Sequence, residues 1–363
     1  MITEDNTTIS TARRSERRRR AELLQSNHRA VSGRSRIGTL MGVRIQGTGS
    51  FLPEHVVTNS DLAKLGYDEQ WIVQRTGIHQ RRQAPPEMAT SDMAFQASIQ
   101  CLEDAGVDPQ QVDLVLVATM TPDSPMPTTA CLLQQRLGCI APAIEMNAAC
   151  AGFMYALVTG MQYVKTGCSR CVLVVGADLM SRAVNPADVR TYPLFGDGAG
   201  AVLLTPGSED RGLLSFTLGA EGDSDGLLCQ PAGGSREPLT EDALAAGRQY
   251  IHMEGRSVFK WAVRVLIDST RDVLTHAQLG HEDLDSAILH QANARIIEAA
   301  IQDLEIPRNK VLINLDRYGN TSAGSIPIVL DEACRAGRIA SGDRVLLNGF
   351  GGGFSWGTAI MRW

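Results

Sequence analysis

The order of elements in this 363-residue chain occurs twice, with the second copy about 172 residues after the first. A helix-period stretch over residues 91–105 leads through Gly106 into the apolar run Val112-Asp113-Leu114-Val115-Leu116-Val117-Ala118. A second stretch over 257–274 leads through Gly280 into Leu284-Asp285-Ser286-Ala287-Ile288-Leu289-His290. Farther on, Cys171-Val172-Leu173-Val174-Val175-Gly176 matches Arg344-Val345-Leu346-Leu347-Asn348-Gly349 at an offset of 173. Short apolar runs alternating with helical stretches predict an α/β fold whose strands are buried on both faces. The chain therefore divides into two similar α/β halves, residues 41–207 and 208–363, packed together.

The duplication gives meaning to Cys150, in the run Met146-Asn147-Ala148-Ala149-Cys150-Ala151-Gly152-Phe153. From residue 151 to residue 166 the only charged side chain is Lys165, so the helix after Cys150 is apolar on every face and predicted to be buried. A thiol at a helix N-terminus is expected to have a lowered pKa, because unpaired amides and the helix dipole favour the thiolate. The repeat places a matching helix over 322–336, with Gly319-Asn320-Thr321 at its start. Asn320 and Cys150 then stand at pseudo-equivalent helix starts that meet at the centre. His290 closes the first strand of the second half, where ligands of open α/β sheets gather. A lone cysteine is more often an inert core residue, and a lone histidine a hydrogen-bonded structural one. Together with Asn320 they form a candidate site.

Two glycine runs, Phe195-Gly196-Asp197-Gly198-Ala199-Gly200 and Gly349-Phe350-Gly351-Gly352-Gly353-Phe354, look like nucleotide loops. Neither combines G-x-G-x-x-G spacing with an acidic residue about 20 positions on, so no dinucleotide cofactor is expected. The second run offers two uses, an oxyanion hole of backbone N–H groups or close strand packing, and both stay open. The eight cysteines show no paired framework, and Cys168 and Cys171 read as a turn before a strand rather than a metal site. With no signal peptide or apolar stretch of membrane-spanning length, a reducing cytoplasm is expected.

Residues 1–40 carry nine Arg against four acidic residues, about +5 on a chain of formal charge −6. They are expected to be a solvated, disordered tail rather than a nucleic-acid surface. Translation is compatible with a start at Met41, directly before the strand-like Val43-Arg44-Ile45.

Asn147-Ala148-Ala149-Cys150-Ala151-Gly152-Phe153, His290-Gln291-Ala292-Asn293, Gly319-Asn320-Thr321-Ser322 and Gly349-Phe350-Gly351-Gly352-Gly353-Phe354-Ser355-Trp356-Gly357 together resemble β-ketoacyl-acyl-carrier-protein synthase III. The similarity runs from about Met41 to Trp363. It implies a thiolase-like, five-layered αβαβα core, a homodimer, and a Cys150–His290–Asn320 triad without metal or organic cofactor. It implies that Cys150 takes an acyl group from acyl-CoA, with the amides of Cys150 and Gly352 as oxyanion hole. His290 and Asn320 then assist decarboxylation of malonyl-carrier protein, and the carbanion attacks the acyl-cysteine.

The same resemblance implies CoA contacts at Trp71, Arg75 and Asn293, an acyl pocket touched by Met126 and Phe195, and a carrier-protein surface at Arg295, Lys260 and Arg264. The chain departs from the family pattern in three places. Asp188 is followed by Val189, so the adenine-covering arginine falls to Arg190, one place late. Met126 stands where many members carry the Phe that crosses the dimer interface, which predicts a primer pocket not limited to acetyl. Gly324 replaces the usual Ala or Ser, and no function attaches to it. The alternatives are a related acyltransferase or specialised condensing enzyme, and a non-catalytic CoA- or carrier-binding subunit, which predicts loss of a triad residue.

Overall fold

The computed structural model describes residues 35–363, except Tyr67 and Ser224. We number the strands of its two large sheets and its helices of eight residues or more. The chain enters on β1 (Ile37–Met41) and then builds a five-stranded sheet from β2 (Val43–Phe51), β3 (Leu114–Ala118), β4 (Ala143–Met146), β5 (Val172–Leu179) and β6 (Asp197–Pro206), in the order β2-β6-β5-β3-β4. The second sheet takes β7 (Gly212–Ala220), β8 (Ser286–Leu289), β9 (Val311–Leu312), β10 (Arg344–Gly351) and β11 (Ser355–Arg362), in the order β7-β11-β10-β8-β9. Both sheets thus place their first, fifth, fourth, second and third strands side by side. The register repeats as well: Leu114 pairs with Val172, and Ser286 with Val345, each across a parallel ladder.

β1 corrects the boundary expected at residue 41. It pairs antiparallel with β7, at the edge of the second sheet, and Leu40 is buried in the central core. Among the described residues the first strand therefore starts at Ile37, inside the segment expected to be a disordered tail. Residues 1–34, with the arginine run, lie outside the described residues. Five residues following an arginine-rich stretch carry too little periodicity to register as a strand, and only pairing with distant Gly212–Ala220 orders them.

The helices are α1 (Glu69–Thr76), α2 (Thr90–Ala105), α3 (Thr129–Leu137), α4 (Gly152–Lys165), α5 (Gly255–Ala277), α6 (Ala294–Asp303) and α7 (Ser325–Arg335). α4 and α7 lie between the sheets. One core cluster joins Leu116 and Val174 of the first sheet to Leu157 and Met161 of α4, Ile326 and Leu330 of α7, and Ile288 and Leu347 of the second sheet. The alternate strand residues face outward: Val115 and Leu173 meet α2 and α3, whereas Leu289 and Leu346 meet α5 and α6. This makes five layers, αβαβα, and it explains why the strands read as unbroken apolar runs rather than alternating ones. Burying Phe153, Leu157 and Met161 of α4 completely contributes roughly 1.5–3 kcal/mol each.

The glycines of the Phe195–Gly200 run serve this packing. A Cβ on Gly200 would stand 2.7 Å from the Ile328 amide nitrogen of α7, and one on Gly196 2.2 Å from the Tyr318 carbonyl oxygen. The run lets strand β6 approach the central helix layer.

Candidate active site

Each central helix is preceded by a single 3-10 turn, Ala149–Ala151 before α4 and Ser322–Gly324 before α7. Each turn opens on a non-glycine residue in the left-handed region, Ala149 at φ 45° and Ser322 at φ 50°. An asparagine two residues earlier holds each in place: Asn147 Oδ1 accepts from the Ala149 amide at 3.1 Å, and Asn320 Oδ1 from the Ser322 amide at 2.8 Å. Matched in this way, the structural counterpart of Asn320 is Asn147, and that of Cys150 is Ala323. The helix starts are equivalent as expected, but the two residues occupy positions three apart on them.

The turns also cross over to the opposite sheet. Gly351, at the end of β10, faces Cys150 so closely that a Cβ there would lie 2.7 Å from the Cys150 nitrogen. The residue at the matching point of β5 is Asp178, whose Oδ2 accepts from the Ala323 amide at 3.0 Å. A carboxylate thus caps this amide in the second half, whereas in the first half a glycine stands at the matching point and brings no side chain to it.

A cavity of about 1170 Å³ opens onto these turns. Cys150, His290, Asn320, Phe195 and Gly352 all line it. Cys150 is 9% exposed, His290 1% and Asn320 6%, so the three side chains sit at its buried end. Asn320 is fixed by the first half: its amide donates to the Leu194 carbonyl at 2.8 Å and its carbonyl accepts from the Gly196 amide at 3.0 Å, a parallel bridge beside Phe195. His290 Nδ1 lies 2.7 Å from Ser325 Oγ, and the edge of its ring meets Phe350 at 5.1 Å between centroids. Behind them Trp261 stacks on Phe354 at 4.1 Å.

Electrostatics differ from the expectation for a helix-start thiol. Burial pushes Cys150 up to about 12; a hydrogen-bonding contribution from Ser322 lowers it, and the Asp178 charge raises it further. The resting sulfur is therefore a thiol at neutral pH, because desolvation of the anion outweighs the turn's amides. The Ser322 hydroxyl lies beside Cys150 and Asp178 but makes no hydrogen bond of good geometry. Burial lowers His290 to about 3, which keeps the imidazole neutral.

At the exposed end, the cavity is lined by Trp71, Arg75, Arg190, Asn293, Lys260 and Arg295. The Arg75 guanidinium lies over the Trp71 ring at 5.7 Å. Asn293 caps α6 by accepting from the Arg295 amide at 2.8 Å, and donates to the Arg75 carbonyl at 3.2 Å, tying α6 to α1. Arg190 Nε is 3.1 Å from Asp188 Oδ1. The one-residue shift thus leaves this arginine at the cavity.

Two expected site residues fall outside it. Met126 is 86% exposed and away from the cavity of its own chain. Arg264 lies farther along α5 and faces Glu221 at 3.9 Å. Arg256, one turn before Lys260 on the same helix face, lines the cavity instead and was missed. Its i, i+4 spacing to Lys260 was the available signal. Met120, Met180 and Ile251 also line the cavity, and no local pattern marks them. Among the described residues, no group of three His, Cys, Asp or Glu side chains is placed to hold a metal ion, and no helix is long and apolar enough to cross a membrane.

A duplicated αβαβα core with cysteine, histidine and asparagine at the meeting point of its central helices defines a thiolase-like acyltransferase. Residues 144–222 match the family described as 3-Oxoacyl-[acyl-carrier-protein (ACP)] synthase III, and residues 274–363 match its C-terminal counterpart. The chain is 56% identical over 345 residues to the beta-ketoacyl-[acyl-carrier-protein] synthase III of Rhodopirellula baltica, covering 90% of this chain and 100% of that protein. It belongs to the β-ketoacyl-acyl-carrier-protein synthase III family. The crystal structure of 3-oxoacyl-[acyl-carrier-protein] synthase III from Aquifex aeolicus superposes with a TM-score of 0.81 at 41% identity, covering 89% of this chain and 100% of that one. The priming β-ketosynthase of the R1128 polyketide pathway superposes equally well, with a TM-score of 0.81 at 33% identity, covering 90% and 98%.

Proposed function

We propose that this enzyme starts type II fatty acid synthesis by condensing an acyl-CoA primer with malonyl-acyl-carrier protein. The observation that carries the reading is the convergence of Cys150, His290 and Asn320, from both halves, on the buried end of one cavity.

Acylation comes first. Cys150 attacks the thioester carbonyl, its proton leaves through His290 to the departing CoA sulfur, and the amides of Cys150 and Gly352 hold the tetrahedral oxyanion. The glycine at position 351, which brings no acceptor side chain to the Cys150 amide, supports that role. Malonyl-carrier protein then enters. As its carboxylate leaves as CO2, negative charge moves to the thioester oxygen, where His290 Nε2–H and the Asn320 side-chain amide donate hydrogen bonds. The carbanion attacks acyl-Cys150 and forms the new carbon–carbon bond, the carbon–sulfur bond breaks to release the β-ketoacyl product, and the Cys150 thiolate regains a proton from solvent to restore the resting thiol. Two neutral donors suit a developing enolate, and a neutral His290 fits that need. The Ser325 hydroxyl both donates and accepts, so it supports either imidazole tautomer: Nε2 bare for the thiol proton, or protonated for the enolate.

Trp71, Arg75, Arg190 and Asn293 receive the CoA nucleotide and its pantetheine arm, and Arg295, Lys260 and Arg264 receive the acidic carrier protein. No metal or organic cofactor takes part. The enzyme works as a homodimer in the cytoplasm. Supporting the dimer, the edge strand β4 and the segment before it expose Ile144 at 37% and Ile140 at 93%, and Met126 is exposed as well. A second copy laid on this edge lets Met126 wall its partner's acyl pocket.

The test is intact-protein mass spectrometry with an acyl-CoA panel and malonyl-carrier protein. An adduct that is absent in Cys150→Ala, together with CO2 and a β-keto product, is expected. Acylation without CO2 release would replace this reading with a plain acyltransferase.

A further inference from the structure

The carboxylate of Asp178 ties the two halves together in one direction only. Asp178 is fully buried near the end of β5. Its Oδ1 accepts from Thr119 Oγ1 at 2.9 Å, the Met120 amide at 2.8 Å, the Thr121 amide at 3.1 Å and Thr121 Oγ1 at 2.8 Å. Thr119 Oγ1 itself accepts from the Thr121 amide, and Thr121 Oγ1 from the Leu179 amide. Both hydroxyl protons are thereby directed at Asp178. Four donors thus anchor the carboxylate to the first half, and the fifth, the Ala323 amide, belongs to the second.

Ala323 follows Ser322, the residue held at φ 50°, and the Ser322 amide is the one that Asn320 Oδ1 grips. With Oδ1 so engaged, the side-chain NH2 is the polar end of Asn320 left for a ligand. The matching residue of the second half is Gly351, so no carboxylate reaches back to the nucleophile turn.

We propose that Asp178 is a positioning residue for the decarboxylation step: from the first half it holds the Ser322–Ala323 turn so that the Asn320 NH2 meets the developing enolate. This rests on the role given above to Asn320. The carboxylate touches neither substrate nor sulfur, and for decarboxylation it acts through the turn.

The experiment measures Cys150 acylation and CO2 release separately in Asp178→Asn, Asn320→Ala and the double variant. The Asp178→Asn change keeps the side chain's shape but places an N–H group among five donors, so the Ala323 tether is lost or misdirected. The expected result is acylation within about threefold of wild type, CO2 release lowered about tenfold or more, and a double variant no slower than Asn320→Ala alone, as for residues acting in series. An equal fall in both steps would make Asp178 merely structural, and additive losses would overturn its action through Asn320. If Asn320→Ala alone leaves CO2 release intact, the underlying assignment of Asn320 fails instead. Should Asp178→Asn not fold, Asp178→Ser, smaller and still able to accept one hydrogen bond, is read by the same criteria.

Discussion

Gly351 stands against Cys150 with no room for a side chain, its missing Cβ 2.7 Å from the Cys150 nitrogen and 3.0 Å from its Cβ. Gly351→Ala therefore pushes a methyl group onto the amide proposed to hold the oxyanion. Loss of one such donor costs ~10²–10³ in rate, and we expect acylation of Cys150 by acyl-CoA to fall by about that factor. Rapid-quench mass spectrometry reads it, and an unchanged acylation rate would remove the Cys150 amide from the oxyanion hole.

Ser325 is the polar partner of His290 Nδ1. Ser325→Ala leaves a buried ring nitrogen without that partner and frees the choice of tautomer. CO2 release from malonyl-carrier protein should slow about tenfold or more, less than the ~10²–10⁴ expected for loss of the acid–base group itself. Ser325→Thr, which keeps the hydroxyl, should recover most of it.

Neutral His290 also makes a prediction about stability. Its folded pKa of about 3 lies below the ordinary 6.5, so between those values the unfolded chain binds the extra proton and the native state does not. Stability should then rise with pH through this window and lose its dependence on His290 above it. Denaturant midpoints of wild type and His290→Gln, compared from pH 7 down to pH 4.5, should draw together or cross as pH falls. A constant difference would mean that the ring takes up its proton in the native state as it does in the unfolded chain.

Met126 is exposed and does not line its own chain's cavity, and within the proposed dimer it reaches the neighbour's. Its flexible thioether predicts initial rates with acetyl-, butyryl-, isobutyryl- and hexanoyl-CoA within about tenfold of one another. Met126→Phe should favour acetyl-CoA. A strong acetyl preference in the wild type would end the idea.

The α/β class and the duplication were legible because both sheets are covered on both faces, so their central strands appear as uninterrupted apolar runs at a fixed offset. That Cys150, His290 and Asn320 gather at one cavity was legible for the same reason, since an apolar helix start and a strand end mark the centre of such a fold. β1 was not, because its order comes from pairing with a strand about 175 residues away. Nor were Met120, Met180 and Ile251, which meet at the cavity only after separate segments pack together.

By itself, then, the sequence determined two repeated halves and which polar residues stand at their helix starts, since period and spacing are local properties of the chain. Tertiary structure alone decided that Cys150 is a buried thiol rather than a ready thiolate, because desolvation depends on everything packed around the sulfur. It also decided the asymmetry between the two halves: Asp178 accepts from the amide of Ala323, whereas Gly351 at the matching point offers the amide of Cys150 no side chain. That difference arises from a contact between a strand end of one half and a turn of the other, and no local pattern encodes it.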